Sequence, residues 1–265
     1  MKRGNLAVST ALSTIILASV LLVIVGIASI VANNAINFQI EGAQFEQAKN
    51  IMLATDKIVK KMIFAPRSSG YVRSSFLSMT PQFTETGENL TLTIDADGEN
   101  WTYQIPVNIV KIKGGAYVGV SSSQNLLGNA SILLTDLAGS LGRIWVYQSD
   151  GAWISLDYSR TRCIYTGTSD LFNGSCYEPL NVIEVTLINL TFGVIEPDAQ
   201  AFIIVQNLGT DSGSPLEVSG NFKIKVSSPD GEETKSLEEL GGDSSKPTLI
   251  HLAFIKIEIS IVKGV

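Results

Sequence analysis

Hydrophobic and polar positions along this chain fall into three regimes. From residue 4 to residue 40 no charged side chain occurs, and residues 15–32 are Leu, Ile, Val and Ala with one Gly and two Ser. A helix that crosses a bilayer needs about 20 apolar residues, so the run predicts a membrane helix within residues 1–40. In the second regime Phe45, Ala48, Met52, Thr55, Val59 and Met62 recur at spacings of 3 and 4. That is one stripe along a helix, which Ile51 and Ile58 widen. Glu46, Lys49, Asp56, Lys57, Lys60 and Lys61 are the charged members of this segment. Pro66 cannot continue a helix, and Ser68-Ser69-Gly70 reads as a loop. The pattern therefore predicts one helix of nearly 60 residues, roughly 85–90 Å long. Its first part is apolar all round, and its extension over 41–66 is amphipathic. The stripe suits either a docked head domain or a partner helix.

In the third regime the period changes to two. Residues 90–95 alternate, Asp97-Gly98 follows, and 101–105 resume the pattern. Asp-Gly between alternating runs is a hairpin signal. A second hairpin is expected from 143–147, a turn at Ser149-Asp150-Gly151, and 153–157, with Trp145 and Trp153 as candidate cross-strand partners. Further strands are expected at 117–121, 131–135, 162–166, 182–190, 201–206, 222–226 and 249–262, the last alternating strictly from Ile255 on. Residues 232–246 read as a solvated loop with a short helical turn. The expected fold class is α+β: a long membrane helix, then a mainly antiparallel, immunoglobulin-like β-sandwich. A division near Glu178-Pro179 splits the β part into regions 67–178 and 179–265, the second the size of one immunoglobulin-like sandwich.

Charge narrows the partners. Beyond the apolar run lie all 25 acidic residues and 17 basic ones, a formal charge of −8. Nucleic acid is disfavoured, because its binding relies on clustered cations. Lys2 and Arg3 flank the apolar run on its short side, which keeps that end cytoplasmic and places the rest outside. An exterior location permits a disulfide between Cys163 and Cys176. It also permits glycosylation at the Asn-X-Ser/Thr sequons. Asn129 and Asn173 lie in loop-like sequence, whereas Asn89, Asn100 and Asn189 lie in or beside strands.

Catalytic chemistry finds little support. The single histidine, His251, opens a β-like run, and no Ser sits in a nucleophile elbow. No phosphate-binding or dinucleotide loop is present. Asp95-Ala-Asp97-Gly98-Glu99-Asn100 clusters oxygen ligands but lacks the downstream Glu of a calcium-binding hand. No catalytic residue, cofactor or metal is expected.

The segment Met1-Lys-Arg-Gly4 ends a short basic stretch on Gly directly before the apolar run, and Ala7-Val8-Ser9-Thr10 follows. Residues 1–60 resemble archaeal type IV pilin-like proteins with class III signal peptides, whose N-termini often read Ala-Val-Ser-Pro. The resemblance implies cleavage by a prepilin peptidase between Gly4 and Asn5, with the helix kept on the mature chain. With Asn5 first, the fifth mature residue is Ser9 and not the Glu on which bacterial pilins rely for assembly. The implied role is structural or adhesive, at the cell surface or in an extracellular filament. The membrane, identical subunits through the helix, and surface-layer or adhesion targets are the expected partners. The competing expectation is a permanently anchored, non-filament ectodomain, such as an accessory of an archaellum-type machine or a ligand-binding module.

Overall fold

The computed structural model describes residues 4–172, 177–196, 198, 200–219 and 221–264, with side chains from residue 12 onward. One helix, α1, runs unbroken over Gly4–Met62, 59 residues, with Lys60 and Lys61 in its last turn. Those cations face the partial negative charge of the helix C-terminus. After Pro66 the chain turns through Arg67, which holds a left-handed φ of 62°.

Fourteen strands follow among the described residues: β1 (Ser69–Ser75), β2 (Thr80–Ala96), β3 (Glu99–Lys113), β4 (Gln124–Leu127), β5 (Leu134–Thr135), β6 (Arg143–Gln148), β7 (Ala152–Asp157), β8 (Thr161–Phe172), β9 (Tyr177–Ile195), β10 (Gln200–Ser212), β11 (Leu216–Val218), β12 (Phe222–Ser228), β13 (Gly231–Ser236) and β14 (Thr248–Lys263). They form two sheets. One has the order β1-β10-β14-β9-β8-β5, with β11 also on β14; the other is β13-β12-β2-β3-β7-β6-β4. All pairs are antiparallel except β14 with β9 and β5 with β8.

The Asp97-Gly98 hairpin forms as the sequence predicts. Ala96 pairs with Glu99, and Asp97 and Gly98 take φ of 56° and 80°, the left-handed pair of a two-residue turn. The hairpin of β6 and β7 also forms, but in a register that separates the tryptophans. Trp153 stands opposite Tyr147 and Trp145 opposite Ser155, because the three-residue turn pairs Gln148 with Ala152. No strand forms at 117–121, where the backbone follows a loop beside the helix. Residues 131–135 contribute only the two-residue β5. The loop predicted from residue 232 begins instead as strand β13, and the turn follows at Leu237.

The two expected β regions are not separate units. Residues 179–265 supply β9, β10, β11 and β14 to one sheet but β12 and β13 to the other. There β12 pairs with β2, placing Ile224 opposite Ile94. Glu178-Pro179 lies inside β9. The sandwich expected from 179–265 alone therefore does not close on itself. The two seven-stranded sheets with a parallel central pair also exceed the seven to nine strands in all of an immunoglobulin domain.

Two hydrophobic cores result. One joins Phe45, Ala48, Ile51, Met52, Val59 and Met62 of α1 to Val110, Ile154, Ile188, Ile203, Ile257 and their neighbours from both sheets. The other joins Leu90, Leu92, Ile94, Ile105, Val185, Leu187, Ile224 and Leu252 without the helix. The long strands pass through both cores and change face between them. Leu187 packs in the second core and the adjacent Ile188 in the first; Phe254 packs against the second and Ile255 lies in the first. Successive strand residues point to opposite faces, and the β9–β14 register is continuous across this point. The two cores therefore lie on opposite faces of the same strands.

Candidate functional surface: the bare helix and its collar

The apolar half of α1 is bare until it meets the head at Asn37 and at Phe38, which lines a groove with Tyr117 and Val118. Residues 12–40 are exposed apart from a half-buried Asn37, and the span has a peak mean hydropathy of 3.0. Its two central serines do not disturb that surface. Ser19 donates its hydroxyl to the Ile15 carbonyl at 2.9 Å, and Ser29 to the Val25 carbonyl at 2.8 Å. Internal satisfaction of this kind lets polar side chains sit in an apolar medium. At 1.5 Å per residue the uncharged part of the helix, residues 4–40, is about 55 Å long.

A collar marks where the helix enters the head. Glu41, the first acid, accepts the Tyr117 amide at 2.7 Å. Gly115 lies against the same carboxylate, where a Cβ would stand 2.3 Å from Oε2. One turn on, the Ser78 hydroxyl bonds to the Gln44 side chain, and Lys49 covers the Phe45 ring at 5.3 Å. The loop at 114–123 is thus held to the helix by polar contacts and close backbone approach, which explains why its alternating sequence does not become a strand.

Above the collar the predicted stripe is core: Ala48, Met52, Thr55 and Val59 have no exposed surface. Asp56 is buried with them, at 1% exposure. Its carboxylate pairs with Lys60 at 2.9 Å and accepts the Tyr158 hydroxyl at 3.4 Å. Gly142 leaves room for it, since a Cβ there would stand 2.2 Å from Oδ1. Sequence reading placed Asp56 among the charged members without a role. Its spacing of 4 from Met52 and 3 to Val59 would have assigned it to the buried face.

A second polar layer lies where the chain crosses from β7 to β8. Asp157, Tyr158, Ser159 and Arg160 are all buried. Asp157 accepts the amide and hydroxyl of Ser159 and faces Arg160 at 3.7 Å. Arg160 donates to the carbonyls of Ile132 and Asn129, and Glu233 accepts the amides of Leu133 and Leu134 at 2.6 and 2.9 Å. These contacts pin the long 128–143 connection. Burial raises the Asp157 carboxyl above the ordinary 3.8, despite Arg160 and the Ser159 bonds. The sequence carried no periodic signal for this layer, because its residues lie on a crossover.

The other predicted residues are spread over the molecule. Gly4 opens α1 and Asn5 follows within it. Asn89, Asn100 and Asn129 are exposed, whereas Asn189 is half-buried in β9 with its amide oxygen enclosed. Asn173 and Cys176 lie outside the described residues. Cys163 is a free thiol, buried in the second core, and burial pushes its pKa up to about 12. It stands opposite Val185 in the β8–β9 ladder, whereas Tyr177, the chain neighbour of Cys176, stands opposite Phe172. The expected Cys163–Cys176 bridge therefore rests on a residue outside the described ones.

His251 is exposed opposite Glu184. Asp97 of the candidate calcium loop instead accepts the Ser219 amide at 3.1 Å and the Ser219 hydroxyl, which holds its carboxyl below the ordinary range. Among the described residues no group of three or more His, Cys, Asp or Glu could hold a metal. Comparison with protein-family models, curated proteins and solved structures finds no match for this chain.

Proposed function

We propose that this chain is a type IV pilin-like surface protein of an archaeon, structural or adhesive and not catalytic. The observation that carries the reading is the division of one 59-residue helix at Glu41, uncharged before it, built into the head core after it. A helix of that design holds a rigid head on an apolar stem, which inserts into lipid before assembly and packs against other apolar stems after it. Lys2-Arg3 keeps the short end cytoplasmic and the head outside. Gly4-Asn5 is the processing site in this reading, and the exposed Asn89, Asn100 and Asn129 are the glycan acceptors.

Mass spectrometry of the mature N-terminus tests this. A start at Asn5, or within a few residues of it, is the expected result, and Gly4→Leu should block it without preventing insertion. An intact Met1 would overturn the pilin reading. That outcome favours the second reading, a permanently anchored ectodomain. One observation supports it directly: the uncharged part of the helix, about 55 Å long, is enough to cross a bilayer with its headgroups, about 40–45 Å.

A further inference from the structure

The change of face in the central strands leaves part of one sheet uncovered. Leu187 and Phe254 are the last residues of β9 and β14 packed on the second core. The next residues on that face, Asn189 and Lys256, are register partners and belong to neither core. They form the floor of a cleft of about 700 Å³, closed by the turn after α1 and by the irregular stretch of β10 after Asn207.

We propose that this cleft binds an acidic saccharide. Its volume lies in the range of small-molecule sites. Arg67 and Lys256 both reach it, and neither has a carboxylate within ion-pair distance among the described residues. Two such cations in a chain of net charge −6 form a local site for an anion. The Asn189 Oδ1 is enclosed beneath this floor, so the hydrogen-bonding groups open to a ligand beside the two cations are the exposed Asp211 carboxylate and Gln104 amide. An open carboxylate beside two cations accepts only from a donor, and an inorganic anion or simple carboxylate carries none, whereas a sugar hydroxyl does. Asp211 and Gln104 line the same cleft and extend the set of hydroxyl partners. Phe254, packed against Tyr103 at 5.4 Å between ring centres, supplies the apolar wall on which the C–H face of a sugar rests. The carboxylate lies toward Arg67 and Lys256, and the ring hydroxyls toward Gln104 and Asp211. The site stands whether or not the helix polymerises.

The test is calorimetric titration of the full-length chain in detergent micelles with tri-galacturonate, with its methyl ester as the neutral control. Binding of the acid, about tenfold weaker for the ester, is the expected result; tenfold corresponds to one charged hydrogen bond. Arg67→Asn combined with Lys256→Gln should weaken binding of the acid at least as much at an unchanged melting temperature, because Asn tolerates the left-handed φ at 67. Lys256→Arg should retain binding. No heat with tri-galacturonate at millimolar concentration, equal affinity for the ester, or full affinity in the double variant would each overturn the proposal. Equal affinity for a hexaglutamate peptide would overturn it too, by reassigning the cleft to acidic protein segments.

Discussion

At the scale of single residues, the informative groups are polar ones placed where the pattern calls for apolar ones. Asp157 is buried at the β7–β8 crossover, and burial outweighs Arg160 and Ser159 in setting its proton affinity. A carboxyl whose folded pKa is raised binds more protons folded than unfolded. Its contribution to stability is therefore complete below 3.8 and declines as the pH climbs from there through the folded value. Asp157→Asn should flatten that decline. Chemical denaturation of wild type and variant in detergent at steps from pH 3.5 to 7 reads it directly, and parallel curves would refute the assignment. Cys163 shows how little a residue type says without its place. Nothing local in the sequence says that β8 carries it into the second core, opposite Val185.

At the scale of elements, the amphipathic part of α1 is a structural member of the head and not a stalk beside it. Met52 is fully buried between the sheets. Met52→Ala should cost about 2–5 kcal/mol through lost transfer energy and the cavity left behind. Leu22→Ala, on the bare half, should leave unfolding of the head unchanged. Urea titration followed by tryptophan fluorescence distinguishes the two, and equal effects would contradict the docking described. The spacing of 3 and 4 named the buried face correctly because helical periodicity is local. It did not name what covers that face, since a stripe looks the same to a sheet as to another helix. The strands show the same limit. Alternation located 90–95, which buries one side, and also 182–190 and 249–262, each of which buries one side up to the change of face and the other beyond it. It failed at 117–121, where contacts with Glu41 and Gly115 hold the segment against the helix and leave it no strand partner.

At the scale of the whole molecule, the two halves of α1 are separable in a way the whole helix is not. A chain beginning at residue 37 should fold as a soluble head with the melting temperature of the parent, because residues 12–36 are exposed throughout. A chain beginning at residue 67 should fail to fold, because the first core would lose Phe45, Ala48, Ile51, Met52, Val59 and Met62. Circular dichroism and size-exclusion chromatography of the two truncations decide this, and a folded product from the second would contradict the role given to α1. The sequence by itself determined the bare apolar segment, the continuous helix, its buried stripe, the Asp97-Gly98 hairpin and the β character of the rest. Each depends on residues within a turn or a few strand positions of one another, so local pattern suffices. Only the tertiary structure decided that regions 67–178 and 179–265 share both sheets, that β9 and β14 run parallel, and that the central strands bury opposite faces along their length. Pairing between residues as distant as 94 and 224 leaves no local trace. A change of face appears in sequence only as a slip in alternation, which gains meaning once it is known what lies on either side.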